Sequence, residues 1–504
     1  MQIAQLSEHL GQEVILKGWV SNKRKGKGLA FLLLRDGSGF TQCVVDANNV
    51  SDKNMELALD LSLESAVIVK GSVVKDDRQV GGYELSVKEI ELIHQSEEYP
   101  ISNKEHGVDF LMQNRHLWLR SKKQWAKMRI RNTIIYGIHS YFQQKGFVQM
   151  DAPLFTANAC EGTTTLFHTD FYGEEAFLSQ SGQLYGEAMA MAMGKIYTFG
   201  PTFRAEKSKT RRHLSEFWMI EPEMAFYDLE MNMDLIEDFM RFLVRRVVEC
   251  CKEELALIGR DIDSLIKSDA VFPRLTYTDA VSILRGEKEV NGLSSLKVLE
   301  EDLTNAKSKL ESNLSEIEER EANIAKGGLK KGVVNFNKNK IANLSAENKV
   351  LEEACRNIPS WIVSAKSFKE GEDFGGSDET VLTRLFETPI MVYNWPKGIK
   401  AFYMKECEED ARFVKGVDVL APEGYGEIVG GAERENKLEI LQSKIKEHEL
   451  SEEDFKWYLD LRRYGSVPHA GFGIGLERFV AWMTGSKHVR ETIPFPRMYG
   501  NLMP

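Results

Sequence analysis

Between Lys195 and Phe226 the chain reads KIYTFGPTFRAEKSKTRRHLSEFWMIEPEMAF, two β-rich runs enclosing a loop dense in positive charge. Such runs on either side of a polar loop predict a β-hairpin. A hairpin of this kind can bring cationic groups over a phosphate-bearing ligand. Arg204 closes the first run, Arg212 and His213 sit near the end of the loop, and Phe217 begins the return strand, where its ring could stack on a purine. Lysine and arginine also simply solvate loops, so charge alone leaves both readings open.

The rest of the chain sets the scale. With 504 residues, 42% hydrophobic and 28% charged, it can bury a sizeable core, and its length predicts at least two domains. The opening MQIAQLSEHLGQEVILKGWV has no basic cluster before a long apolar run, and no later stretch suits a membrane helix. The expectation is a cytoplasmic protein without membrane partners. Six cysteines, Cys43, Cys160, Cys250, Cys251, Cys355 and Cys407, lack paired C-x-x-C spacing, against a zinc cage and against a disulfide framework. The net charge of −11 would discourage nucleic-acid binding were it spread evenly. It is not: Lys17, Lys23, Arg24, Lys25 and Lys27 crowd one segment, and Lys207, Lys209, Arg211, Arg212 and His213 another. Local basic patches on an acidic body fit transient binding of a polyanion, although solvated basic loops would look the same.

Five β-rich runs, VILKGWV, AFLLLRD, TQCVVD, SAVIVKGSVV and YELSVKEI, with a helical stretch from Met55 to Leu63, predict a small barrel of the OB type over residues 1–96. Barrels of this type commonly stack bases of single-stranded nucleic acid on aromatics. Trp19, Phe31 and Phe40 are the candidates, any of which could equally be core; two of the three are expected inside. Residues 97–124 read as a polar linker ending in a short helix, and 125–504 as a larger α/β region opening with an amphipathic helix. Within it, about 287–358 shifts to Lys, Glu, Asn, Ser and Leu. Leu296, Leu303, Leu310, Ile317 and Ile324 recur every seven residues, with Leu299 and Ala306 at the offset of a coiled-coil seam, and a second seam runs from Ile341 to Ile358. An inserted antiparallel helical hairpin follows, either a tolerated surface insertion or an arm touching nucleic acid or another partner.

HAGFGIGLERFVAWMTG, residues 469–485, alternates Gly471, Gly473 and Gly475, which on a strand leaves a flat strip where a ring can lie against backbone. The spacing differs from the dinucleotide G-x-G-x-x-G fingerprint. F-R-A-E followed by R-H-L-x-E-F resembles motif 2 of the class II aminoacyl-tRNA synthetases, the glycine segment with Arg478 resembles motif 3, and FVQMDAPLF with Pro153 resembles motif 1. Their order behind an N-terminal barrel resembles the subclass that activates aspartate, asparagine and lysine. The resemblance covers residues 1 to about 283 and about 365 to 504. It implies an α+β fold: an OB-type barrel plus a catalytic domain whose antiparallel six-stranded sheet is flanked by helices, with the hairpin inserted. It also implies a homodimer through motif 1 around Pro153.

The resemblance further implies site residues. ATP would meet Arg204, Glu206, Arg212, His213, Phe217, Glu427, Gly475 and Arg478, with Arg204 stabilising the phosphoryl charge. Asp418 and Glu427 of VDVLAPEGYGEIVGGAERE would hold Mg²⁺. Glu161 and Gln183 would hold the substrate α-ammonium, with His469 beside the pocket, while Phe31, Gln42 and Arg24 would read the anticodon. Charge bears on the amino acid. Aspartate-activating relatives carry a lysine in Q-S-P-Q-L-x-K-Q; here SQSGQLYGEAMA has Gly186 there, with Glu187 beside it. Glu187 is expected to accept from an asparagine amide NH₂ while Arg434 donates to its oxygen. SGQLYGE, FGPTFRAE, KAFYMK and IPFPR resemble the asparagine-activating members. The expected activity is ATP-dependent ligation of asparagine to tRNA through an adenylate, releasing AMP and pyrophosphate. The alternative is an aspartate-charging enzyme, possibly non-discriminating.

Overall fold

The computed structural model describes residues 1–79, 81–102, 104, 106–157, 165–208 and 210–504. The chain divides into two compact units, Met1–Trp125 with Met503–Pro504, and Ala126–Leu502.

In the first unit β1 (Glu13–Gly26), β2 (Leu29–Arg35), β3 (Phe40–Asp46), β4 (Ala66–Lys75) and β5 (Tyr83–His94) close a barrel in the order β1-β2-β3-β5-β4. All neighbours are antiparallel except β3 and β5. Helix α1 (Asp52–Asp60) is capped by the Ser51 hydroxyl, which accepts from Asn54 N–H. Alternation along the strands decides what lies inside: Val14, Leu16 and Val20 of β1 and Ala30, Leu32 and Leu34 of β2 are buried. The intervening residues face out. Trp19 is 41% exposed, and Phe31 and Phe40 are half-buried on the outer side. The expectation that two of these three rings enter the core is therefore overturned, because period-two alternation puts each beside an inward-facing residue, Val20, Leu32 and Thr41 respectively. Gly18 and Gly71 permit tight strand packing, since a Cβ at either would run into the carbonyl of Arg35 or Ser86.

The second unit is built on eight strands. β6 (Val148–Met150), β10 (Lys195–Phe203), β11 (Glu216–Ala225), β12 (Arg274–Thr276), β13 (Ile390–Pro396), β14 (Phe413–Ala421), β15 (Gly426–Glu433) and β16 (His469–Gly475) stand in the order β12-β13-β14-β15-β16-β11-β10-β6. β7 (Phe155–Thr156), β8 (His168–Phe171) and β9 (Glu174–Leu178) form a separate small sheet. The six central strands of the large sheet are antiparallel, as expected. β12 and β6 add to its two edges in parallel. Each edge strand has three residues, too few for alternation to show in a sequence.

Helices α2 (Lys122–Gln144), α3 (Gln183–Met193), α4 (Leu229–Cys250), α5 (Ser295–Ala325), α6 (Lys331–Ser367), α7 (Gly376–Thr383), α8 (Lys456–Arg463) and α9 (Leu476–Thr484) complete the elements used below. Ile130, Ile134, Ile138 and Phe142 of α2 and Phe239, Leu243 and Val247 of α4 meet Ile220, Val419, Phe472 and Ile474 of the sheet in one core. The helical faces at i, i+4 spacing supply the apolar stripe that covers the strands.

α5 and α6 form the hairpin. Leu299, Ala306 and Asn313 are buried at seven-residue spacing along α5. The seam thus turns polar away from its base, where Asn313 Nδ2 donates to Asn348 Oδ1 at 2.9 Å. A buried amide pair of this kind fixes register.

Among the described residues no helix is long and apolar enough to cross a membrane. Cys43, Cys250, Cys251, Cys355 and Cys407 are free thiols; Cys160 lies outside the described residues.

Candidate active site

A cavity of about 340 Å³ opens on one face of the large sheet between β11, β14, β15 and β16. The β10–β11 register, Lys195↔Met224 through Phe203↔Glu216, makes the charged loop a hairpin connection, as expected. Arg204, Glu206, Arg212, His213, Phe217, Glu427, Gly475 and Arg478 all line the cavity, together with Asp418, Gln183 and Arg434. Glu187 and His469 do not line it. Glu161 and Lys209 lie outside the described residues.

At the phosphate end, the Arg204 guanidinium lies 5.5 Å from the Phe217 ring centroid. Arg478 Nη1 donates to the Glu427 carbonyl at 2.8 Å, and its Nη2 approaches His213 Nε2 at 3.5 Å. Burial, with Arg478 beside it, lowers the His213 pKa, so the ring is neutral at pH 7. Arg212 is tied to the helix behind: it pairs with Glu379 of α7 and donates to the Gly424 carbonyl at 2.6 Å. Burial pushes Glu379 up to about 7 despite this arginine.

The carboxylates of Asp418 and Glu427 flank Gly430, whose Cβ would lie 3.7 and 3.2 Å from them. Lys400 Nζ donates to Asp418 at 2.5 Å. Burial, reinforced by Glu427 and Asp373 and opposed by Lys400, pushes Asp418 up to about 7. Burial disfavours the Glu427 anion too, but Arg478, Lys400 and Arg204 outweigh it and lower its pKa. Among the described residues no three His, Cys, Asp or Glu side chains converge as a metal cage. Two carboxylates facing a phosphate-sized space nevertheless fit Mg²⁺, which takes one or two carboxylates and completes its shell with phosphate and water.

The other end is built differently from the expectation. Residues 186 and 187 are neighbours on α3, so their side chains point about 100° apart. Gly186 faces β11, where a Cβ would lie 3.2 Å from Glu223 Cγ. Glu187 faces α8 and is fully buried. Its carboxylate accepts from Tyr458 Oη and Arg462 Nη2, each at 2.8 Å, from Gln183 Nε2 at 3.1 Å, and lies 2.9 Å from His469 Nε2. Burial opposes its charge, but Arg462 and His469 hold the carboxyl far below the usual range. Its oxygens have no capacity left for a substrate amide, so the direct role expected of Glu187 is corrected. His469, also fully buried, braces Glu187 and is held by Val467 O at 2.9 Å.

Two carboxylates at this end do reach the cavity, Glu221 and Glu223, and Glu223 receives Arg434 Nη2 at 2.5 Å. Glu221, two residues earlier on the same strand face, accepts from Gly182 N–H at 2.8 Å and from the Ser181 hydroxyl. Burial, with Glu187 nearby and against the pull of Arg434, pushes Glu223 up to about 8. The three alternating glycines divide the work. Gly473 and Gly475 line the cavity as a flat strip, whereas Gly471 makes room for Glu223, because a Cβ there would overlap its carboxylate.

Glu221, Glu223, Lys400, Asp373, Tyr458 and Arg462 were not singled out from the sequence. The signal present was E-P-E on a predicted strand, where i and i+2 carboxylates share one face of a sheet whose neighbours are glycines. On the barrel, the three residues expected at one surface do meet. Arg24 and Phe31 are paired across β1 and β2 with the guanidinium 5.5 Å from the ring centroid, and Arg24 Nη2 donates to Gln42 Oε1 at 3.0 Å.

Comparison with known proteins agrees with this architecture. A family described as tRNA synthetases class II (D, K and N) matches residues 107–499, and one described as OB-fold nucleic acid binding domain matches 14–93. An asparagine–tRNA ligase of Sorangium cellulosum is 47% identical over 500 residues, covering 99% of this chain and 98% of that protein. One of Desulforamulus reducens is 45% identical, covering 100% and 99% respectively. The crystal structure of asparaginyl-tRNA synthetase from Pyrococcus horikoshii complexed with asparaginyl-adenylate has a TM-score of 0.81 at 34% identity, covering 100% of this chain and 99% of that one. With a barrel and a catalytic sheet matched over their full lengths, the chain belongs to the class II tRNA synthetases of the aspartate, lysine and asparagine group, among the asparagine–tRNA ligases.

Proposed function

We propose that this chain activates asparagine with ATP and transfers it to the 3′ end of tRNA(Asn), releasing pyrophosphate and AMP. The observation that carries the choice of amino acid is the Glu223–Arg434 pair at the cavity wall. A primary amide carries both NH₂ donors and an acceptor oxygen, so it can donate to Glu223 while receiving from Arg434. Aspartate would offer Glu223 no NH₂ donor and would bring a carboxylate that competes with Glu223 for Arg434.

Activation needs no protein nucleophile. The asparagine carboxylate attacks the α-phosphate, Arg204 balances the growing phosphoryl charge, and Arg212, His213, Glu206 and Arg478 orient the remaining phosphates. Phe217 offers its face to adenine, with Gly475 below the ring plane. Arg212 would leave Glu379 to do so; a pKa of about 7 lets that carboxyl take a proton when the cation departs. Asp418 and Glu427 would hold Mg²⁺, which supplies charge neutralisation between phosphate oxygens. Gln183 and Glu161 would receive the α-ammonium, and His469 acts one layer back through Glu187.

ATP–pyrophosphate exchange tests this directly. Asparagine should support exchange at least about a hundredfold better than aspartate, the size expected for an unpaired buried charge. Equal rates would overturn the reading.

The barrel surface of Phe31, Arg24 and Gln42 suits an unstacked anticodon base. Phe31→Ala should raise the KM for tRNA about tenfold, within the range of one lost stacking contact, and leave asparagine-dependent exchange unchanged. Equal loss of both activities would contradict the assignment. A homodimer is proposed through the segment around Pro153. Val148, Leu154 and Phe155 are exposed there, beside β6 at the sheet edge, and a second copy would cover them. A cytoplasmic setting agrees with the free thiols.

A further inference from the structure

The hairpin of α5 and α6 takes no part in the cavity, yet it touches the loop that carries the cavity-lining Arg212 and His213. Arg211, beside the cavity-lining Arg212, pairs with Glu353 of α6 at 3.0 Å. Arg384, just beyond α7, pairs with Asp302 of α5. The arm is therefore anchored beside the site through α6, and to the chain just after α7 through α5. From Glu353 to Lys331 a straight helix rises about 33 Å.

Charge is unevenly spread along it, with Glu311, Glu316, Glu318, Glu319 and Glu321 continuing along α5 to the edge of the tip. Glu300, Glu301, Asp302, Glu352 and Glu353 lie near the base. From Ala322 to Ala346 the chain instead carries five lysines, Lys326, Lys330, Lys331, Lys338 and Lys340, and no aspartate or glutamate. Lys326, Lys330, Lys331 and Lys338 are exposed, as are Asn335 and Asn339 between them. Phe336 is 63% exposed, although an exposed aromatic on a two-helix arm has nothing to gain in water. Its position is fixed from below: Arg320 sits 5.8 Å from its ring centroid and donates to Asn337 Oδ1 at 2.7 Å. A seam of Arg320, Asn337, Asn313 and Asn348 is a costly way to join two helices. It does hold the tip in one register.

We propose that this tip is an RNA-binding surface that grips the phosphate backbone of the tRNA whose 3′ end enters the cavity. Lysines neutralise phosphates, asparagines donate to phosphate or ribose oxygens, and Phe336 packs on an exposed base or sugar. The anchoring beside the site sets the distance: RNA delivered into the site runs past an arm that begins there. The inference deepens the proposed function and rests on tRNA being the substrate.

The test is a Lys326→Gln/Lys330→Gln/Lys331→Gln/Lys338→Gln variant of the full chain, assayed with an in vitro transcript bearing an asparagine anticodon. The expected result is a KM for tRNA raised at least tenfold and a log–log salt slope smaller by about two to four, since each phosphate-contacting lysine contributes about one. Asparagine-dependent pyrophosphate exchange should stay within twofold, and the matching Lys→Arg variant should retain tRNA affinity. Unchanged KM and slope with intact exchange would overturn the proposal while leaving the proposed function standing. Loss of binding only to vesicles of phosphatidylserine and phosphatidylcholine would overturn it in favour of a membrane contact. If the parent chain shows no exchange with asparagine, the proposed function itself fails, and that arm reads independently of the lysines.

Discussion

Glu223→Gln is expected to lower kcat/KM for asparagine in pyrophosphate exchange by about two to three orders of magnitude, with the KM for ATP nearly unchanged. The substitution keeps the shape of a fully buried side chain. It replaces the anionic acceptor for an amide NH₂ by a weaker neutral one and leaves Arg434 without its anion. Truncating one member of a buried, hydrogen-bonded charge pair costs about 2–5 kcal/mol, and each 1.4 kcal/mol is about tenfold. Aspartate should lose far less, so discrimination should shrink. The same carboxylate predicts a pH dependence. It accepts through both oxygens with full charge only when ionised, and burial has pushed it up to about 8 in the free protein. Asparagine kcat/KM should therefore climb with pH below about 8, by about tenfold per unit at the steep end, and level off above. In the glutamine variant that limb should vanish. A pH profile unchanged by the substitution would remove Glu223 from the recognition of asparagine.

Arg462→Met is the second large effect. Arg462 and Glu187 are both fully buried, and the substitution leaves a carboxylate facing Tyr458 and His469 without its main counter-charge. A stability loss of about 3–5 kcal/mol is expected, read as a lowered thermal midpoint. Because Gln183 donates to Glu187, the asparagine KM should also rise while the ATP KM holds. Arg462 is a positioning residue, acting on the cavity through Glu187. Glu187→Gln combined with Arg462→Met should recover most of the stability, since replacing both members of a buried pair removes the stranded charge. Two single variants that each melt like the parent would refute this role.

The two large effects mark where reading the sequence stops. SQSGQLYGEAMA shows a lost cation at Gly186, and that inference survives: the space beside Gly186 is filled by Glu223 Cγ. The same string cannot tell which of its neighbours turns toward the substrate. One residue along a helix changes direction by about 100°, and the exact start of α3 decides the outcome. Phe31 was legible as a nucleic-acid platform, but its outward direction came from the alternation of Ala30, Leu32 and Leu34 into the barrel. The hairpin was legible from its heptads. Its polar layers were not, because Asn313 and Arg320 read as surface residues until Asn348 and Asn337 are placed opposite them.

Sequence alone determined the barrel, the hairpin-borne arginines, the glycine strip and the carboxylates of the phosphate end, because strand alternation and local motif order are properties of short stretches. Only the tertiary structure decided which carboxylates of this end face the cavity. Glu187 lies 275 positions from Arg462 and 282 from His469, and packing of α3, α8 and β16 joins them. The charge they share is settled by burial, which no single segment carries.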